Sequence, residues 1–264
     1  MSLSVVRQLL RSFLTPRMLQ PQSSEDVSSL APEVPLYVVG DIHGCADLLK
    51  LILTRIETDA GAQDHAALKL IFLGDYIDRG DASAETLVHL RSLNLEVPNA
   101  VKCLMGNHER MMLDFLDDPA GRGGRWLSNG GLQTLASYRI GGISANASAE
   151  DLTEVSDALA AALPEGMEAW LRSLPLWIQS GNVICVHAAM NPERPPETQD
   201  ERALLWGHRD FKSQPRDDGL WVIHGHTVVK KPQIENGRIA IDTGAWHSRK
   251  LTAAVITPGE CRFL

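Results

Sequence analysis

Seven polar residues in this 264-residue chain are of types that bind hard or borderline metal ions: Asp41, His43, Asp75, Asn107, His108, His187 and His226. Carboxylate, imidazole and amide donors without thiolates suit manganese, iron or zinc. One such ion needs three or four ligands, and this set is large enough for two ions if one carboxylate bridges them. Two ions about 3.5–4 Å apart can hold a phosphate between them and bring the pKa of a shared water from about 15.7 to near 7. Hydrolysis of a phosphate ester would then need no serine or cysteine nucleophile. Taken singly, each histidine reads as a packed or surface residue, and each aspartate as a turn residue after glycine. Their repetition at one kind of position is what points to chemistry.

That position is the carboxyl end of a short apolar run. LYVV precedes Gly40-Asp41, LIFL precedes Gly74-Asp75, and VKCLM precedes Gly106-Asn107; VICV precedes His187, LWVI precedes His224-Gly225-His226, and IAI precedes Asp242. Runs of this length, rich in Val, Ile and Leu, read as buried strands. Between the first three lie helical patterns: ADLLKLILTRIET with apolar residues at 48, 49, 52, 53 and 56, then SAETLVHLRSL, then ERMMLDFL. Strand–helix alternation implies βαβ units and a largely parallel sheet, in which ligands gather at the carboxyl ends of the strands. Residues 117–180 interrupt the alternation and read as a helical insertion, with a glycine loop at 121–124, a helical stretch around Asn129-Gly130-Gly131, and helices over 150–173 separated by Pro164.

The blocks Gly40-Asp41-Ile42-His43-Gly44, Gly74-Asp75-Tyr76-Ile77-Asp78-Arg79-Gly80, Gly106-Asn107-His108-Glu109 and His224-Gly225-His226-Thr227 resemble the signature blocks of calcineurin-like metallophosphoesterases. More narrowly, they are similar to those of the bacterial and phage serine/threonine phosphoprotein phosphatases, over residues 36 to about 258. The resemblance implies an α/β fold, a four-layer α-β-β-α sandwich with a helical insertion. It implies Asp41 and His43 on a first metal, Asp75 bridging both, and Asn107, His187 and His226 on the second. His108 would be the general acid, oriented by Asp78, and Arg79 would clamp the phosphate through its planar fork. Arg209, in LLWGHRDF, is the expected second clamp, although His208 shifts the spacing; Arg122 or Arg125 would come next. The block His187-Ala188-Ala189 departs from the His-Gly-Gly or His-Ala-Gly of the family, which touches only fine geometry.

The activity expected from this resemblance is a phosphomonoester hydrolase, a protein phosphatase on phosphoserine, phosphothreonine or phosphotyrosine, using two divalent ions with manganese expected first and iron or zinc next. The alternative is a diadenosine tetraphosphate (dinucleotide polyphosphate) hydrolase, and a non-catalytic metal-binding scaffold is a third reading. His224 and Asp242 fit a supporting role or a turn, Glu109 fits the start of a helix, and His65, His89 and His247 fit ordinary surface or packing positions.

Composition narrows the partners. With 33 acidic against 25 basic residues the net charge is −8, which argues against nucleic acid as a partner. The four cysteines, Cys45, Cys103, Cys185 and Cys261, form no CxxC pair and fit reduced, buried residues in a cytoplasmic setting. No apolar stretch is long enough to span a bilayer. Residues 4–14 carry a short amphipathic pattern with Arg7 and Arg11, read as a docking helix or tail, or less simply as a membrane-surface helix. Residues 21–35 read as a linker, so the chain divides into a tail at 1–34 and one domain at 35–264.

Overall fold

The computed structural model describes residues 26–63 and 67–264. The amphipathic pattern at 4–14, the first part of the 21–35 linker and His65 lie outside the described residues.

The first three expected strands and helices form as β1 (Leu36–Val39), α1 (Ala46–Ala62), β2 (Lys69–Phe72), α2 (Ser83–Glu96), β3 (Val101–Cys103) and α3 (Asn107–Asp117). The buried face of α1 consists of Ala46 and the expected Leu48, Leu49, Ile52, Leu53 and Ile56. Next come α4 (Pro119–Trp126), a wide π-type turn at Leu127–Gly131, α5 (Leu132–Ser137), α6 (Ala149–Ala162) and α7 (Met167–Arg172). The second half holds β4 (Trp177–Ser180), β5 (Val183–Val186), α8 (Glu201–Trp206), β6 (Trp221–His224), β7 (Gln233–Glu235), β8 (Arg238–Ala240), α9 (Ala245–Ser248), β9 (Ala253–Thr257) and β10 (Glu260–Phe263).

These strands make two five-stranded sheets, ordered β10-β9-β1-β2-β3 and β4-β5-β6-β8-β7. Strand–helix alternation alone implies a largely parallel sheet; the strands form two mixed sheets, as the four-layer α-β-β-α sandwich implied by the resemblance requires. Strands β1, β2 and β3 are parallel, with β9 antiparallel to β1; β5, β6 and β8 are parallel, with β4 and β7 antiparallel at the edges. A central strand buried on both faces shows a continuous apolar run whichever sheet it joins, so sheet membership is not visible in it.

Alternation along β1 builds the layers. Leu36 and Val38 face Val183, Cys185, Ile223 and Ile239 of the second sheet in a shared core. Tyr37 and Val39 face the other way, with Leu49, Ile52, Leu87 and Met112 of α1, α2 and α3. The outer face of the second sheet, Ile184, Val186 and Val222, packs on Leu204 of α8 and on Phe211. Helix, sheet, sheet and helix follow in order. All four cysteines are buried and free. Among the described residues no helix is long and apolar enough to cross a membrane.

Candidate active site

The residues that follow the carboxyl ends of β1, β2, β3, β5 and β6 include all seven candidate ligands: Asp41, His43, Asp75, Asn107, His108, His187 and His226. Among the described residues eight non-glycine residues have positive φ, and five of them are here: His43, Asp75, Asp78, Arg79 and His226. Such conformations cost of order 1–3 kcal/mol each and persist where surrounding structure dictates them. The loops are interlocked: a Cβ on Gly74, whose φ is +106°, would lie 2.6 Å from the Cα of Gly106. Only glycine allows that approach.

Asp75 is the centre. His43 Nε2 lies 3.5 Å and His108 Nε2 3.8 Å from its Oδ2, while His187 Nε2 lies 3.3 Å from its Oδ1. Two groups able to hold a metal ion share it: His43, Asp75 and His108, and Asp75, His187 and His226. The Asn107 side-chain oxygen sits 2.8 Å from His187 Nε2 and 2.9 Å from His226 Nδ1. Asp41 Oδ2 accepts the His226 backbone N–H at 3.0 Å, but its buried Oδ1 has no hydrogen-bond partner, and Gly225 packs against that oxygen so closely that no Cβ would fit.

This donor set fits divalent metal. With Nδ1 bonded to the Ile77 carbonyl in His43 (2.8 Å) and to the Leu73 carbonyl in His187 (3.0 Å), the Nδ1–H tautomer leaves each Nε2 lone pair facing the cluster. Burial holds His43 and His226 down, to about 3 and about 4, and lowers His187 as well, which favours the neutral form that a ligand needs. Burial pushes the Asp75 carboxyl up, but the surrounding histidines, His187 foremost, outweigh it and keep it ionised well below the usual carboxylate range. Asp41 is the counterpart: burial first, then Asp242 and Asp75, raise its carboxyl well above that range. An unpartnered buried acceptor among carboxylates is what a cation would satisfy.

His108 stands differently. Its Nδ1 lies 2.6 Å from Asp78 Oδ2, and its Nε2 lies 3.2 Å from Arg79 Nη2 and 3.8 Å from Asp75 Oδ2. Burial disfavours its charged form, but Asp75 and Asp78 outweigh that and hold it above the ordinary histidine value. Asp78 is fully buried and receives two further donors, Thr134 Oγ1 at 2.6 Å and the Trp126 indole N–H at 3.0 Å. Thr134 and Trp126 belong to none of the sequence blocks that resemble the family. They come from α5 and the end of α4, brought in where the Gly130 carbonyl accepts the Arg79 N–H (3.3 Å); the paired glycines at 130–131 were the local sign of that approach.

Arg79 reaches across the cluster, its Nη1 3.1 Å from His43 Nε2. Arg209 is not brought there: its side chain is 89% exposed and its Nε donates to Asp210 at 3.2 Å. After α8 the chain turns at Gly207 (φ 98°), and His208 Nδ1 accepts the Asp210 N–H, which turns residue 209 to solvent. Arg125 stacks its guanidinium 4.1 Å over the Trp206 ring. His224 lies outside the cluster, edge-on to Phe211, and Asp242 Oδ1 accepts the Gly244 N–H at 2.8 Å.

Glu109 does more than begin a helix. Its buried carboxylate accepts backbone N–H bonds from Gly106 (3.0 Å), Asp75 (2.8 Å), Tyr76 (2.8 Å) and Ile77 (3.3 Å), tying two motif loops together. Glu109→Ala leaves these amides without an acceptor, and each unsatisfied buried donor costs about 1–3 kcal/mol. A stability loss of about 3 kcal/mol or more in urea unfolding is therefore expected. A loss below about 1 kcal/mol would show that the loops hold without it.

A family profile for calcineurin-like phosphoesterases matches residues 34–234. The chain is 28% identical over 237 residues to the bis(5′-nucleosyl)-tetraphosphatase PrpE [asymmetrical] of Oceanobacillus iheyensis, covering 82% of this chain and 86% of that protein. It is 41% identical over 87 residues to the serine/threonine-protein phosphatase 2B catalytic subunit A2 of Saccharomyces cerevisiae, covering 33% of this chain and 13% of that one. Among solved structures, one assigned as a diadenosine tetraphosphatase aligns with a TM-score of 0.61 at 20% identity, over 88% of this chain and 93% of the other, and shares the fold.

Proposed function

This chain belongs to the calcineurin-like phosphoesterases, metal-dependent hydrolases of phosphoric esters, and from that premise we propose that it hydrolyses dinucleoside polyphosphates at a dinuclear metal centre. The observation that carries the chemistry is the pair of three-residue groups sharing Asp75. In this reading Asp41, His43 and Asp75 hold one ion, and Asp75, Asn107, His187 and His226 hold the other. Two divalent ions bound there would supply an activated water and positive charge for the phosphate. The chain's own residues do the rest. Arg79 holds the phosphate oxygens from the open side. His108, aimed by Asp78 and titrating above the ordinary histidine value, delivers its Nε2 proton to the departing oxygen.

The substrate class rests on the likeness to the tetraphosphatase, which extends over most of both chains. The 87-residue match to a protein phosphatase favours a second reading, phosphoprotein hydrolysis. Offering diadenosine tetraphosphate and a phosphoserine peptide in parallel, with products resolved by HPLC, separates the two. Faster release of nucleotides is expected; turnover of the peptide alone would reverse the assignment.

Arg79 and Arg209 give a second test. Arg79→Ala is expected to leave the metals bound and to weaken inhibition by inorganic phosphate about tenfold or more, because charge-assisted bonds to a phosphate contribute roughly 1.5–3 kcal/mol. Arg79→Lys should rescue poorly, since an ammonium lacks the planar fork. Arg209→Ala should leave phosphate inhibition unchanged. A matching loss in Arg209→Ala would bring that side chain back as a clamp; Arg125 is the alternative, and Arg125→Ala measures it directly.

A further inference from the structure

We propose that Trp246 is the platform on which a nucleobase of the substrate stacks, setting the enzyme's preference for nucleotides over other phosphoesters; this rests on the dinucleotide reading above. The indole is beside the reacting centre: the Arg79 guanidinium carbon lies 5.5 Å from its ring centroid. That guanidinium contacts both His43 and His108. The same arginine that meets phosphate oxygens on one side therefore borders an aromatic ring on another.

Trp246 is 43% exposed. Leu51, Val88, Leu95 and Val228 are the other large apolar side chains exposed among the described residues, and none is aromatic. The ring projects from the short helix α9, whose flanking residues are tied down by hydrogen bonds. Asp242 Oδ1 accepts the Gly244 N–H (2.8 Å), Ser248 Oγ donates to the Thr243 carbonyl (2.7 Å), and Thr243 Oγ1 donates to the Lys250 carbonyl (2.8 Å). Gly244 takes a left-handed conformation (φ 67°) under the His247 imidazole, which meets the indole edge-on at 4.9 Å between centroids. An exposed aromatic already fixed in place loses little entropy when a second ring settles on it.

The occupant follows from the chemistry. Asymmetrical cleavage of a dinucleoside tetraphosphate breaks the chain next to a nucleoside monophosphate, so one base lies a single ribose away from a phosphorus at the centre. A purine at that distance from the Arg79 guanidinium is within reach of the neighbouring indole. Any base has a π-face, so stacking would favour nucleotides broadly without choosing among bases.

The test compares inhibitors that differ only in the base. Inhibition constants for AMP, ribose 5-phosphate and inorganic phosphate are measured against p-nitrophenyl phosphate hydrolysis by the metal-loaded wild type, Trp246→Ala, Trp246→Leu and Trp246→Phe. In the wild type AMP should bind about tenfold or more tighter than ribose 5-phosphate, within the range that base stacking gives. That ratio should fall to about one in Trp246→Ala and Trp246→Leu and largely survive in Trp246→Phe, with phosphate inhibition unchanged throughout. A wild-type ratio near one, or a ratio indifferent to Trp246→Ala and Trp246→Leu, overturns the proposal. So does an equal weakening of all three inhibitors, which would mean the indole acts by holding Arg79. Failure of the dinucleotide reading shows separately, as absence of nucleotide release from diadenosine tetraphosphate by the wild type.

Discussion

Asp75→Ala is expected to remove both metal ions and with them the hydrolytic activity. Its two carboxylate oxygens face different partners, Oδ1 toward His187 at 3.3 Å and Oδ2 toward His43 at 3.5 Å, and it is the residue that the two metal-holding groups have in common. Changing even a residue that only orients a metal ligand can cost 10–100-fold in affinity, and removing the shared ligand should cost more, for both ions at once. The variant should still fold. Asp75 raises the carboxyls of Asp41, Glu109 and Asp242, so its loss relieves repulsion in the metal-free protein. Metal analysis after dialysis, paired with thermal unfolding in chelator, reads both effects. Two ions retained per folded chain would end the bridging assignment.

His108→Asn is expected to leave a different signature. The metals should stay, and the rate on poor leaving groups should fall by roughly 10²–10⁴, the usual contribution of a positioned acid. Aryl phosphates, whose leaving groups need no proton, should lose far less. The geometry supports this asymmetry: Nδ1 is engaged by Asp78 at 2.6 Å, leaving Nε2 as the one position from which a proton can be delivered. His108 also falls within the group formed with His43 and Asp75. Equal losses on both substrate types, together with loss of one ion, would make it a ligand instead.

Much of this was readable from consecutive residues. Each ligand candidate follows an apolar run that is buried on both faces, and the glycine beside Asp41, Asp75 or Asn107 marks where loops approach closely. The partners of Asp78 were not readable in this way. Trp126 and Thr134 lie 48 and 56 positions away, on helical segments whose own patterns speak only of packing. The antiparallel strands β4, β7, β9 and β10 are as short as the others, but none of them ends in a block of candidate ligands, so nothing in the sequence marks them. Arg209 shows the limit at a single position. It has the right chemistry for a clamp, but a turn at Gly207 decides where it points.

The site also joins the two sheets. His187, from the second sheet, bonds the Leu73 carbonyl of the first at 3.0 Å, and the His226 N–H bonds Asp41 at 3.0 Å. In the proposed assignment neither sheet alone carries a complete set of ligands for two ions. A chain with only its first half folded would hold at most fragments of the centre, too weak to retain metal or to attack phosphate. Metal occupancy would then act as a certificate of completed folding. Partly synthesised or misfolded chains would stay hydrolytically silent among the cell's nucleotides.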